Sequence, residues 1–107
     1  MVKITSNVEH FLHRVRTLFS PQVSIYLFGS RATGKTHSDS DWDFIIVSSK
    51  FEGIDSYHRA LKIHHLIKEP FSLDVLCYTP QEFNDLKHEP SLVQECIEQG
   101  SLIKIEV

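Results

Sequence analysis

Residues 23–47, VSIYLFGSRATGKTHSDSDWDFIIV, decide how this chain is read. Two apolar runs, Val23 to Phe28 and Phe44 to Val47, flank a polar loop. The loop opens with Gly29-Ser30 and closes with Asp41-Trp42-Asp43. Backbone N–H groups of a glycine-serine turn leaving a strand can hold phosphate. Two carboxylates one residue apart, where a strand begins, project to one side and can share a metal ion. Phosphate at one end of the loop and metal at the other point to nucleotide chemistry.

The rest of the chain is consistent with one domain over residues 1–107, long enough for a real core. A hydrophobic fraction of 41% and a charged fraction of 23% are ordinary for a soluble globular protein. The net charge of −3 disfavours non-specific binding to long nucleic acid, which needs a basic surface. It does not disfavour a nucleotide, whose phosphates a carboxylate site carries through Mg²⁺. No apolar run approaches the roughly 20 residues of a membrane-spanning helix. The N-terminus lacks the features of a signal peptide, so the expected location is the cytoplasm. Cys77 and Cys96 belong to no CxxC pair and are expected to be reduced thiols, in the core or half-buried.

Outward from the loop, residues 6–19 have the apolar spacing of an amphipathic helix, with Ser6 and Glu9 as a capping box. Ser20-Pro21 ends it. Val23 to Phe28 is nearly continuous in apolar character, as in a strand covered on both faces. Ser30 to Gly34 is a turn or short helix start, Thr36 to Ser40 a loop, and Trp42 to Val47 a second strand. Residues 54–68 form a helix capped by Asp55 or Ser56, with Tyr57, Ala60, Leu61, His64 and Ile67 along one face. Phe71 to Tyr78 is a third strand carrying one acid, Asp74, which is costly there unless something pairs with it. Thr79-Pro80-Gln81-Glu82 starts a short helix. A further helix spans 91–99, and 102–107 alternates like an edge strand. The order is α-β-(turn)-β-α-β-α-α-β: a small α/β fold with a mixed sheet flanked by helices.

Residues 29–36, GSRATGKT, match the P-loop pattern G-x-x-x-x-G-K-[ST] letter for letter. A P-loop runs straight into a long helix. Here HSDSDWDFIIV follows, without helical period, and becomes a strand. The P-loop reading therefore fails on context.

The other reading takes Gly29-Ser30, ten residues, then Asp41-x-Asp43, with Asp74 on a separate strand. In this the chain resembles the nucleotidyltransferase superfamily of DNA polymerase beta and the kanamycin nucleotidyltransferases, whose hallmark is G-S-x(10)-D-x-D followed by a third carboxylate on a neighbouring strand. It is most similar to the minimal nucleotidyltransferases, small prokaryotic proteins that often accompany a HEPN-domain partner. Three converging carboxylates would repel one another, and divalent metal removes that problem. Two Mg²⁺ ions can clamp the attacking and leaving oxygens of an in-line displacement. Asp41, Asp43 and Asp74 are thus the expected catalytic and metal-binding residues. Gly29 and Ser30 would hold the β- and γ-phosphates of ATP. The resemblance implies that Asp74 contacts the metal activating the acceptor hydroxyl, or acts as its general base. Arg31 matches a frequent family position. For Lys35, a phosphate contact and a solvated charge both stay open.

Other groups near the loop carry less. Asp39 reads as a turn acid. The histidines read as solvated or half-buried, with a minor role left open for His37 in the loop. Trp42 alternates away from the acids and reads as core.

The resemblance implies transfer of AMP from ATP to a hydroxyl with release of pyrophosphate. The chain is short for an acceptor-binding domain, so a partner is expected to present the acceptor. In the minimal family that is a tyrosine of a HEPN-domain toxin, which would make this chain an antitoxin. A homo- or hetero-oligomer fits that picture. Two alternatives stay open: a non-catalytic nucleotide-sensing antitoxin, and the catalytic subunit of an aminoglycoside-type nucleotidyltransferase.

Overall fold

A computed structural model describes residues 3–35 and 41–106 of the chain. Alternating helices and strands run α1 (Ser6–Phe19), β1 (Val23–Phe28), α2 (Ser30–Thr33), β2 (Trp42–Ser48), α3 (Ser56–His64), β3 (Leu73–Tyr78), α4 (Pro80–Lys87), α5 (Leu92–Glu98) and β4 (Ile103–Lys104). The strands form a four-stranded sheet in the order β3-β2-β1-β4. β1 is antiparallel to both β2 and β4, whereas β2 and β3 are parallel. The sheet is mixed, as expected, and helices cover both faces.

Strand alternation sorts the core into two layers. On one face, Ile25, Leu27, Phe44, Ile46, Val75 and Cys77 meet Phe11, Leu12 and Val15 of α1 and Ile63 of α3. On the other, Phe28, Ile45 and Val47 meet Phe83 of α4 and Val93 and Cys96 of α5. β2 is central and feeds both layers, which explains its unbroken apolar run. Both thiols are free and buried, as expected. Burial pushes the Cys77 thiol up to about 12, so it is inert at neutral pH.

Several boundaries differ from the sequence reading. The α1 cap is Thr5, whose side chain accepts from no backbone N–H of the helix, so the Ser6/Glu9 capping box does not form. The Thr5 hydroxyl donates to Asn7 Oδ1 instead, 2.6 Å away. α3 is shorter than 54–68, and its cap is Asp55, which accepts from the His58 N–H. Its buried face is also different: Arg59 and Ile63 point inward while Tyr57 is 69% exposed. β3 starts at Leu73 rather than Phe71, and the last strand is only Ile103–Lys104. The α4 start is as expected, a capping box between Thr79 and Glu82 with Pro80 in the first turn.

The buried Arg59 explains the shift of the α3 face. Its guanidinium, in a residue 7% exposed, donates to Glu82 at 2.6 and 3.2 Å and to the Cys77 carbonyl at 3.1 Å. Its Nε donates to the Ile54 carbonyl at 2.6 Å. One arginine thus ties the start of α3, the end of β3 and the start of α4. Glu82 has two duties, since it also accepts from the Thr79 N–H in the capping box. The hydrogen bonds from Arg59 hold the Glu82 carboxyl below its ordinary range.

Candidate active site

The site gathers where β1 ends and where β2 and β3 begin. In the β2–β3 ladder Asp43 lies directly opposite Asp74, and in the β1–β2 ladder it lies opposite Phe28. Residues opposite one another in a sheet project to the same face, so Asp43 and Asp74 stand side by side. Both are on the face covered by α4 and α5, but at the strand end away from the part of α4 that packs against Val47. Asp43 is half-buried, and Asp41 and Asp74 are exposed.

Electrostatics mark Asp43 as the centre. Its carboxyl is raised to about 6, first by burial and then by the charges of Asp74 and Asp41, while Arg31 acts in the opposite direction. The three charges among these causes belong to residues that the sequence also points to as site residues. Mutual repulsion of this kind is what a bound cation relieves.

Gly29 forms the second wall. It has φ 75°, a region that favours glycine, and it precedes the single-turn helix α2. A Cβ at Gly29 would overlap Asp43 Oδ2 and lie 2.9 Å from its Cγ. The glycine is therefore required twice, by its backbone and by the carboxylate pressed against it. The Ala32 and Thr33 N–H groups donate to the Gly29 carbonyl at 3.1 and 3.3 Å, which fixes the turn carrying Ser30. Gly34, at φ 80°, ends α2. The helix after Gly29 is a single turn that ends at Gly34, and the next strand, β2, pairs antiparallel with β1, so the long helix of a P-loop does not follow this loop.

Arg31 and Lys35 separate here. The Arg31 guanidinium lies 4.2 Å from the Trp42 ring centroid, a cation–π arrangement. Trp42 is 3% exposed and stacks 6.0 Å from Phe44, in the core as expected. Arg31 is thus anchored beside the acids, whereas Lys35 is exposed. His37 and Asp39 lie outside the described residues. Among the described histidines, His10 and His58 meet surface carboxylates, Glu69 and Asp55.

Sequence reasoning missed Ser72. Its hydroxyl donates to Asp41 Oδ1, and its carbonyl accepts from the Trp42 N–H at 2.9 Å. A serine before a strand carries no local signal, and its role follows only from β3 pairing with β2.

The donor set suits a hard divalent cation: carboxylate oxygens on one face, and a central acid, seated against Gly29, whose charge is disfavoured without a counter-ion. Asp41, Asp43 and Asp74 are the residues that would hold Mg²⁺. Among the described residues, no group of three His, Cys, Asp or Glu side chains is already drawn together as a metal cage. Asp41 accepts from Ser72 instead.

The chain was compared with known proteins. Curated proteins give no match. Among solved structures, the chain is similar to a protein from Sulfolobus solfataricus assigned by inference as a nucleotidyltransferase. That pair has a TM-score of 0.57 and 22% identity over 79% of this chain and 84% of the other. BolA1 from Arabidopsis thaliana overlaps with a TM-score of 0.54 and 19% identity, over 74% of this chain and 98% of the other. A toxin–antitoxin structure with AMP-PNP overlaps with a TM-score of 0.44 and 21% identity, over 68% of this chain and 57% of the other. At such identities the first two overlaps establish the α/β frame alone, and their names differ as much as functions on one frame can. Sequence settles the family: the nucleotidyltransferase domain matches residues 8–105, which includes Gly29, Ser30 and all three acids. The chain therefore belongs to the nucleotidyltransferase domain family and is a nucleotidyltransferase enzyme.

Proposed function

We propose that this chain transfers AMP from ATP to a hydroxyl and releases pyrophosphate, with Asp41, Asp43 and Asp74 as ligands of Mg²⁺. The observation that carries the reading is the Asp43–Asp74 pairing in register, beside a glycine whose missing Cβ makes way for the Asp43 carboxylate. Two bound Mg²⁺ ions would neutralise phosphate charge and stabilise the attacking and leaving oxygens.

The chain's own residues do the rest. The Gly29-Ser30 turn holds the β- and γ-phosphates on N–H groups and the Ser30 hydroxyl. Arg31, anchored on Trp42, adds positive charge beside them. The acceptor oxygen bonds to the α-phosphorus as the bond to the α–β bridging oxygen breaks. The acceptor proton passes to a carboxylate oxygen of Asp74, the exposed member of the central pair.

By resemblance to the minimal nucleotidyltransferases, the acceptor is a tyrosine of a HEPN-domain toxin, and the chain is its cytoplasmic antitoxin. Among the described residues no helix is long and apolar enough to cross a membrane. The test is incubation with α-labelled ATP, Mg²⁺ and the protein encoded by the neighbouring gene. Label on that protein, lost when Asp41 and Asp43 are both changed to Asn, supports transfer. A double variant that still neutralises the toxin fully leaves inhibition by binding as the mechanism. Labelling of an aminoglycoside without added protein makes a small molecule the acceptor.

A further inference from the structure

We infer that Ser72 is a positioning residue that orients Asp41 for the divalent cation. The inference rests on the metal reading of Asp41, Asp43 and Asp74 above.

β2 and β3 pair in parallel with Trp42 opposite Leu73 and Asp43 opposite Asp74. One step earlier along that register, Ser72 falls beside Asp41. Alternation then puts Asp41, Asp43, Ser72 and Asp74 on one face. Three corners of this square are carboxylates, and the fourth is a hydroxyl. Ser72 acts at its corner in two ways. Its carbonyl accepts from the Trp42 N–H at 2.9 Å, which extends the ladder beyond the strand ends. Its hydroxyl donates to Asp41 Oδ1.

Asp41 needs such a partner. It precedes β2 and is exposed, so no core packing fixes its side chain. A carboxylate has about four acceptor positions, so one hydrogen bond on Oδ1 leaves Oδ2 for a cation. Carboxylates that ligate metals are commonly hydrogen-bonded in this way, and loss of the outer partner weakens metal binding. A fourth acid in place of Ser72 would add a like charge beside Asp41, whereas a hydroxyl donates a hydrogen bond to it.

The test measures Mn²⁺ binding to the full chain by the electron paramagnetic resonance of free Mn²⁺, without nucleotide, for wild type, Ser72→Ala, Ser72→Thr and Asp43→Asn. Ser72→Ala is expected to weaken Mn²⁺ binding about 10- to 100-fold. Ser72→Thr, which keeps the hydroxyl, is expected to restore it. Melting in EDTA is expected to be alike for wild type and both Ser72 variants, which separates orientation of Asp41 from a structural role. Wild-type Mn²⁺ affinity in Ser72→Ala overturns the positioning role and leaves the metal reading intact, provided Asp43→Asn binds weakly. Equal binding by wild type and Asp43→Asn overturns both.

Discussion

The bare Cα of Gly29 lies against the carboxylate of Asp43, so closely that a Cβ would overlap Oδ2. The turn that would hold phosphate and the acid that would hold metal thus define each other's position. Gly29→Ala is expected to displace Asp43 and to strain a backbone at φ 75°. A displacement of about 1 Å at a reacting centre costs on the order of 100-fold in rate. Transfer should fall by at least that factor, with a stability loss of about 1–3 kcal/mol. Kinetics and thermal melting of the variant check both.

Asp43 sets a pH dependence of the metal-free protein. Its folded value, about 6, is above its ordinary 3.8. The folded state therefore favours the protonated acid. The resulting penalty is absent below pH 3.8, grows between 3.8 and 6, and is complete above 6. The site is partly open to solvent, so the penalty is about 1 kcal/mol at neutral pH. Asp43→Asn should melt higher than wild type at pH 8 in EDTA and equally at pH 4. Mg²⁺ should raise the melting temperature of wild type and leave the variant nearly unchanged.

Arg31 opposes that shift. Arg31→Gln should push the Asp43 carboxyl further up, because the variant loses the charge that lowers it. It should also weaken ATP binding and uncover Trp42, whose ring the guanidinium faces. NMR titration of the Asp43 carboxyl and tryptophan fluorescence quenching by acrylamide read the two effects.

Arg59 should be more sensitive than any other exposed-looking residue of α3. Truncation of its partner in Glu82→Ala leaves a nearly buried guanidinium without its carboxylate. Loss of one partner of a buried pair costs about 3–5 kcal/mol, and partial exposure of Glu82 reduces this to about 2–3 kcal/mol. Denaturant unfolding checks it. The Glu82 carboxyl is lowered in the folded state. Its contribution is therefore complete above the unfolded value and is lost as pH falls through the folded one.

The ten-residue spacing from Ser30 to Asp41, the D-x-D and the lone acid of β3 were legible because each is local or obeys the two-residue strand period. The Arg59–Glu82 pair, 23 residues apart, was not legible. The apolar face of residues 54–68 leaves Arg59 out, and its bonds to the Cys77 carbonyl and to Glu82 make it internal. Ser72 was hidden for the same reason: the residue its hydroxyl bonds lies 31 positions away, just before another strand. The α1 capping box failed because Thr5, one residue earlier, takes the cap position.

By itself, then, the sequence determined the strands, the turn and the acids, through side-chain periodicity and the conformational demands of glycine and proline. Tertiary structure decided that Asp43 and Asp74 stand side by side, with Asp41 near enough for its charge to act on Asp43. A slip of one residue between β2 and β3 would turn Asp74 to the opposite face, into the layer of α1 and α3. The hydrophobic residues alternating with Asp43 and Asp74 prevent that slip. Phe44 and Val75 are buried in that layer, opposite each other, and their burial holds the two carboxylates side by side.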